Sequence, residues 1–390
     1  MRKAKPHTLK LNNFTRKFSN VRRSIIIGLF LLTTISIGSN QKIFASTQEE
    51  EKQSTHQEGE KAKFNTVEFI FEHIGDSYEW HIVTIGHTHV AIPLPIILYS
   101  EQKGLNIFLS SKFHHGKESY NGFKWEREGK YNGKIVELNS SGEILEENPL
   151  PWNFSITKIV LSIFFSSILL CWIFISIAKK YKEGFDKAPT GIQNLFEPII
   201  LFVVNDIAIP SIGEKKYKRF LPFLLTVFFF IWFNNMLGLI PIFPGGANVT
   251  GNIAVTLVLA TFTFVITTVS GNKQYWKHVV NTPGVPWFLK LPIPIMFVVE
   301  LAGLFTKPIV LMIRLFANIL AGHMVAIVFF SLIFIFGALN IWAGYGVSIV
   351  SVSFTFFMSL LELLVALIQA YVFTLLTAIY FGMATEEHHH

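Results

Sequence analysis

Residues 309–323 read IVLMIRLFANILAGH, and this stretch decides the class of the protein because it holds Arg314 inside a long apolar run. A guanidinium keeps its charge in a protein, and at the centre of a bilayer that charge is costly. An arginine can reach the headgroups by snorkelling, but Arg314 lies far from the polar loops on either side. We therefore interpret Arg314 as a functional cation at membrane depth.

The composition points to an integral membrane protein. Hydrophobic residues make up 51% of the 390 residues and charged residues 15%, and there are 39 Phe. The net charge of +7 could indicate nucleic-acid binding, but the cations of the membrane half flank apolar runs, so we interpret them as topology signals and predict no nucleic-acid partner. Because Cys171 is the single cysteine, an intramolecular disulfide and a cysteine-based metal site are excluded.

The first 150 residues indicate an exported segment. Residues 1–45 combine a basic start, an apolar run at 25–37 and a small-residue ending, which predicts a signal peptide, with a retained anchor as the alternative. Residues 46–62 are acidic and aromatic-free, and are predicted to be a disordered linker. Residues 63–150 contain short runs of β-like alternation punctuated by Gly, Asn and Pro, which predicts a small β-rich segment.

Histidines in the exported segment raise the question of a metal site. His87 and His89 would share one face of a strand, a spacing that metal sites use. The sequence offers no third ligand that can be placed near them, so we predict no metal and no cofactor. The last three residues, 388–390, are a histidine tail whose origin, native or tag, stays open.

Residues 151–387 are predicted to be an all-α membrane domain with about five membrane helices. Three spans of ordinary length are expected at 156–178, 221–243 and 253–270. Residues 191–209 carry several amides and carboxyls, which favours an amphipathic helix lying along the interface. The apolar runs 294–336 and 347–383 are too long for one upright span. Either Gly303 and Pro308 break the first run, or both helices are long, tilted and kinked.

The distribution of cations predicts the orientation. Lys and Arg concentrate in the loops at 179–187, 215–219 and 273–290, whereas the loops expected at 244–252 and 337–346 carry no charge. The positive-inside rule then places the exported segment outside and the C-terminus inside. We therefore predict a multi-pass protein of the bacterial cytoplasmic (inner) membrane with a periplasmic N-terminal segment.

Two polar stripes run along the long helices. At 100° per residue, Glu300, Lys307, Arg314 and Asn318 fall within about 40° of one another, and His323 lies on the opposite face. In the last helix the residues that share a stripe are Glu362, Gln369, Phe373 and Tyr380. This pattern makes Glu362 the expected mate of His323 and puts Gln369 at the level of Arg314.

Each of these residues also has a purely structural interpretation. His323 and Glu362 could satisfy each other as a buried pair, and Asn318 and Gln369 could be hydrogen-bonding glue between helices. Glu300 could be a first-turn acid that interacts with the helix dipole. Lys307 is best explained by snorkelling.

The motif RLFANILAGH at 314–323, preceded by Glu300 and Lys307 and followed by Glu362 and Gln369, closely resembles the subunit a family of F-type ATP synthases. The resemblance covers about residues 150–387 and does not extend to the exported segment. In the family's best-known bacterial pattern the position of His323 holds a carboxylate and that of Glu362 an imidazole. This chain exchanges the two, which supports their acting as a pair.

The resemblance implies a non-catalytic stator subunit beside a rotating ring of c subunits. Protons would move through two aqueous half-channels, past His323, Glu362, Asn318 and Gln369 on the outer side and Glu300 on the inner side. Arg314, Asn318 and Gln369 would face the ring. Further implied partners are the b subunit or peripheral stalk, the soluble ATPase sector and membrane lipid.

Two questions stay open at this point. The translocated ion is H⁺, with Na⁺ possible, because the choice rests largely on the ring. The alternative function is a secondary transporter that binds an anionic substrate at Arg314, although such proteins usually show internal repeats, which this sequence lacks. No P-loop is present in the sequence, so nucleotide chemistry would belong to partners.

Overall fold

The computed structural model of the chain describes residues 75–85, 88–127, 129–139, 141–145, 150–183, 191–240, 243–280 and 295–386. The signal peptide, the acidic linker, His87 and the tail at 388–390 lie outside the described residues and stay predictions. Within the described part, the predicted fold class is confirmed: a mostly helical chain with a small β-rich segment near its N-terminus.

In its described residues, the β-rich segment forms three small antiparallel sheets. The pairings are β1 with β2, β3 between β4 and β8, and β6 between β5 and β7. Ile96, Leu98, Phe113 and Phe123 are fully buried in its core. The strands are β1 Glu79–Ile85, β2 Thr88–Pro93, β3 Pro95–Ser100, β4 Gly104–Leu109, β5 Ser119–Tyr120, β6 Phe123–Trp125, β7 Ile135–Glu137 and β8 Trp152–Asn153.

Seven helices follow in the described part of the membrane domain. Their bounds are α1 Lys158–Glu183, α2 Ile192–Ile212, α3 Tyr217–Leu239, α4 Ile253–Ser270, α5 Lys273–Val280, α6 Ile295–Leu339 and α7 Ile341–Thr385. Residues Val203–Ala208 form a π-helical segment inside α2. All but the short α5 are long and apolar enough to cross a membrane. This set includes α2, so its predicted place along the interface stays a prediction.

The two long apolar runs form single helices. α6 and α7 have 45 residues each, about 68 Å at 1.5 Å per residue, and Gly303 and Pro308 do not end α6. Membrane helices tolerate an internal proline where neighbouring groups satisfy the freed backbone. The sequence left open whether Gly303 and Pro308 break this run or whether it forms one long helix. The structure shows one long helix, α6.

The predicted loop at 337–346 is wrong. α6 ends at Leu339 and α7 begins at Ile341, so the connection is Asn340 alone. The Asn340 side-chain oxygen caps α7 by accepting a hydrogen bond of 3.0 Å from the Trp342 amide. The helices approach so closely here that a Cβ on Gly344 would lie 2.8 Å from the Gly337 Cα, and the glycines that suggested a loop serve this packing instead.

The core of the membrane domain is rich in phenylalanine. α3 supplies Phe228, Phe229 and Phe230, which are all fully buried. The ring of Phe229 packs edge-on against Phe174 of α1, with the ring centres 4.9 Å apart. α7 packs on α6 and α3, and the three helices together position the polar residues of the candidate site.

Candidate functional site

His323 of α6 and Glu362 of α7 form the centre of a polar cluster. His323 Nδ1 lies 3.9 Å from Glu362 Oε2, and the two side chains are 18% and 11% exposed. The structure thus brings together the two residues that the sequence predicts as mates. At this distance the carboxyl and the imidazole do not hydrogen-bond directly, but a proton can pass between them through one bridging water molecule.

Two glycines make room for this pair. A Cβ on Gly322 would lie 2.8 Å from Glu362 Oε1, closer than side chains tolerate. On α3, a Cβ on Gly238 would lie 3.6 Å from His323 Nε2 and 3.3 Å from the Ala247 carbonyl oxygen. The local sequence therefore keeps space on both sides of the pair, and Gly238 lets α3 come close to the imidazole.

A cavity of about 190 Å³ opens beside the pair, enough for several water molecules. Glu362 Oε1 and Asn235 Nδ2 are buried polar atoms that find no hydrogen-bond partner within the described chain. Buried polar atoms are normally paired with protein or water, so the site has the character of a hydrated pocket. The residues lining the cavity are Asn235, Leu239, Asn318, Ile319, Gly322, His323, Met358, Leu361, Glu362, Val365 and Ala366.

Sequence reasoning missed Asn234 and Asn235 of α3. The Thr250 hydroxyl donates a hydrogen bond to Asn235 Oδ1, and Asn234 Nδ2 donates one of 2.8 Å to the Phe230 carbonyl. Both amides are buried. The available signal was the adjacent pair itself, because two amides inside an apolar span are costly unless they serve structure or transport.

Arg314 and Asn318 lie on an exposed face of α6. Within the described residues no carboxylate forms a salt bridge with Arg314, which interacts electrostatically with Tyr380 of α7. Asn318 borders the cavity as well. This face thus presents a permanent cation outward at membrane depth, with the hydrated pocket at its edge.

Gln369 faces the interior of the chain. It is 6% exposed, and Phe373, one turn further along α7, is also buried. Gln369 and Phe373 of the predicted α7 stripe therefore face the interior, whereas Glu362 and Tyr380 are partly exposed. The Gln369 side chain is covered by other residues of this chain. Its predicted contact with the ring of c subunits stays a prediction.

A second polar group lies toward the start of α6. His278 Nδ1 of α5 is 4.0 Å from Glu300 Oε1, and burial raises the pKa of Tyr275, with the nearby Glu300 carboxylate adding to the effect. Lys307 Nζ lies 5.6 Å from the ring centre of Tyr380. A cavity of about 20 Å³, enough for about one water molecule, lies among Tyr275, Lys307 and Tyr380.

The two polar groups are separated along one helix. At 1.5 Å per residue, Arg314 is about 10 Å beyond Lys307 and about 14 Å before His323. His278 and Tyr275 were not predicted, since α5 is short and polar and resembles an ordinary loop helix. No cluster of three metal-ligating side chains occurs in the described ranges.

The fold and these polar groups define a multi-pass membrane protein with ionisable side chains at membrane depth. The family model for the ATP synthase A chain matches residues 160–382, and the chain belongs to this family. A model for a domain of unknown function matches residues 69–156, the β-rich segment.

Named relatives agree with this assignment. The chain is 46% identical over 241 residues to ATP synthase subunit a 2 of Chlorobaculum tepidum, covering 60% of this chain and 64% of that protein. It is 43% identical over 247 residues to ATP synthase subunit a of Chlorobium phaeobacteroides, covering 61% and 68%. It is 44% identical over 244 residues to ATP synthase subunit a of Myxococcus xanthus, covering 61% of this chain and 75% of that protein. The chain thus spans about two thirds of the length of these relatives.

Proposed function

We propose that this chain is the ion-conducting stator subunit of an ATP synthase membrane sector, working against a rotating ring of c subunits. The observation that carries the proposal is the arrangement on α6. Two separate polar groups lie on either side of Arg314, and Arg314 itself is on an exposed face. A mechanism with two half-channels requires two access paths that end at a shared exposed surface. The two polar groups and the exposed face of Arg314 are compatible with this requirement.

The first path is the hydrated pocket. Water in the cavity beside Asn235 delivers a proton to the pair of Glu362 and His323, which passes it toward Asn318 at the exposed edge of α6. Gly322 leaves Glu362 room to move between the pocket water and the imidazole. The buried pair thus acts as a relay, because each member can take up the proton that the other releases.

Arg314 separates the paths electrostatically. A ring carboxylate that reaches this cation is stabilised in its ionised form, so it gives up its proton. The fixed positive charge also opposes the direct passage of a cation between the two paths. A lysine would be a poorer choice, because an ammonium can lose its proton when desolvated and cannot bind a carboxylate through two parallel hydrogen bonds.

The second path lies around Glu300. This carboxylate is close to His278 and Tyr275 on α5 and near the small cavity at Lys307. A proton released beside Arg314 leaves through these groups to the cytoplasmic side. The positive-inside pattern of the loops supports this direction.

In this proposal the chain is not a catalyst by itself. Nucleotide chemistry takes place on the soluble ATPase sector, a b subunit or peripheral stalk holds the stator in place, and lipid surrounds the remaining surface. The ion is H⁺, with Na⁺ as an alternative that depends on the ring. The protein lies in a bacterial cytoplasmic (inner) membrane with its C-terminus inside.

The proposal is tested by ATP-driven proton pumping in inverted membrane vesicles that carry Arg314→Ala. We expect pumping to be lost, since the ring carboxylate loses its counter-charge. Arg219→Ala removes an equally permanent and exposed cation at the start of α3 and serves as the matched control. Pumping by Arg314→Ala at the control rate would rule out the rotary mechanism, and the absence of a copurifying proteolipid ring would favour a transporter instead.

A further inference from the structure

One face of the sheet formed by β4, β3 and β8 is apolar and exposed. The strand register places Tyr99 opposite both Leu105 and Trp152, and the Phe154 amide donates a 2.9 Å hydrogen bond to the Ile97 carbonyl. These side chains therefore project to the same side of the sheet. We define the outer sheet face by six exposed residues: Tyr99, Leu105, Ile107, Leu109, Trp152 and Phe154.

This face is not the core of the segment. The alternate residues of β3, Ile96 and Leu98, are fully buried on the other side. An antiparallel sheet with one solvated face normally alternates apolar with polar residues, yet no outward position of these three strands carries a charge. Leu105, Ile107 and Trp152 are 63%, 65% and 65% exposed, and a contiguous apolar patch of this kind marks an interaction surface.

The outer sheet face lies close in the chain to the start of the first membrane helix. The Ile156 amide donates a 3.0 Å hydrogen bond to the Pro95 carbonyl, so the pairing with β3 continues to within two residues of Lys158, the first residue of α1. Five residues lie between Trp152 and Lys158, so the two are about 20 Å apart at most. The sheet is therefore tied to the point where the chain enters the bilayer.

The surface of α1 continues the same apolar character. Ile168 and Trp172, one turn apart, are exposed on this helix, which is long and apolar enough to span a membrane. Aromatic side chains concentrate where the headgroups meet the acyl chains, because one end of the ring is apolar and the other polar. Trp152 and Tyr99 supply such side chains beside the entry point of α1, and Phe154 adds apolar surface.

We propose that the outer sheet face lies on the bilayer surface and inserts its side chains into the boundary between headgroups and acyl chains. The β-rich segment is then a monotopic anchor attached to the first membrane helix. Because the face carries no charge, apolar burial holds it to the bilayer and anionic lipid adds little. Residues 154–157 form neither helix nor strand and join the plane of the sheet to the axis of α1.

Spin labelling tests the proposal in the full-length chain within its complex. In a Cys171→Ser background, Ile107→Cys and, separately, Leu105→Cys receive a nitroxide label after reconstitution into phosphatidylcholine vesicles. The control is Glu118→Cys, because the Glu118 side chain is also 65% exposed but lies outside the face. Accessibility to oxygen, which partitions into lipid, is compared with accessibility to a water-soluble nickel complex.

We expect both labels on the face to favour oxygen over nickel severalfold and the control label to favour nickel. Adding phosphatidylglycerol should leave this ratio unchanged. Labels at 105 and 107 that collide with nickel as freely as the control would show a face in water and overturn the proposal. Labels shielded from both reagents would show a protein cover, from this chain or another, and would overturn it equally.

Discussion

His323 Nδ1 and Glu362 Oε2 lie 3.9 Å apart although 38 residues separate them in the chain. The contact exists because α6 and α7 fold back on each other through Asn340 alone, which aligns the two long helices. Asn235 of α3 lines the same cavity, so three helices fix the site. In a protein interior, truncating one member of such a pair is costly, because the other member stays buried without a partner for its charge.

His323→Ala and Glu362→Ala should each slow ATP-driven proton pumping on the order of tenfold or more, because each removes one half of the proton relay. The exchange of His323→Glu with Glu362→His should recover part of the rate, since it restores one acid and one imidazole. Pumping is measured in inverted vesicles containing equal amounts of complex. A double exchange no faster than the single variants would remove the support for a functional pair.

Gly322→Ala should impair pumping through steric conflict alone. The added Cβ would lie 2.8 Å from Glu362 Oε1, so the carboxylate must move out of its place beside His323. Gly303→Ala is the matched control, because it adds the same methyl group to the same helix at a position with nothing within 4 Å. Assembly of both variants is checked by copurification of the ring. Equal pumping by the two variants would contradict the assigned geometry of Glu362.

Arg314→Lys should restore little of the activity that Arg314→Ala loses. The charge is kept at neutral pH in water, but an ammonium at membrane depth can deprotonate and offers no planar pair of donors to a carboxylate. The measurement is proton pumping across a pH series in inverted vesicles. Full activity at neutral pH would show that a point charge is sufficient, and the role given to bidentate binding would be wrong.

The sequence predicted much of this architecture for identifiable reasons. Arg314, His323 and Glu362 stand out because ionisable groups are rare in apolar runs, and helical periodicity placed Arg314 and His323 on different faces of α6. Gly322 lies close to the Glu362 carboxylate and Gly238 close to the His323 imidazole. These contacts depend on tertiary packing and could not be predicted from the sequence. The loop expected at 337–346 failed because Gly337 and Gly344 resemble turn residues in sequence but serve helix contact in the structure.

Asp76 ties the β-rich segment to the start of α1. Its Oδ1 accepts hydrogen bonds from the Ile159 amide at 3.1 Å and from the Ser77 amide at 3.0 Å. It also interacts electrostatically with Lys158, which is buried at the first residue of the helix. The carboxylate thus caps α1 from a position more than 80 residues earlier in the chain.

Asp76→Ala should therefore lower stability by about 0.5–2 kcal/mol, the usual cost of losing a helix cap. Asp76→Asn keeps the capping oxygen and should stay close to the unsubstituted chain. The measurement is the unfolding midpoint of the complex by scanning fluorimetry at equal protein concentration. If Asn lowers the midpoint as much as Ala, the charge opposite Lys158 stabilises this junction rather than the cap.

The orientation of the chain can be tested by limited proteolysis of right-side-out spheroplasts. The cation-rich loops at 179–187 and 215–219 should be protected, because the positive-inside rule places them in the cytoplasm. The segment before Lys158 should be cut, and inverted vesicles should give the opposite pattern, which serves as the control for protease access. Cleavage at 179–187 from outside would invert the topology. The pocket at His323 would then open to the cytoplasm, and the direction assigned to the two proton paths would reverse with it.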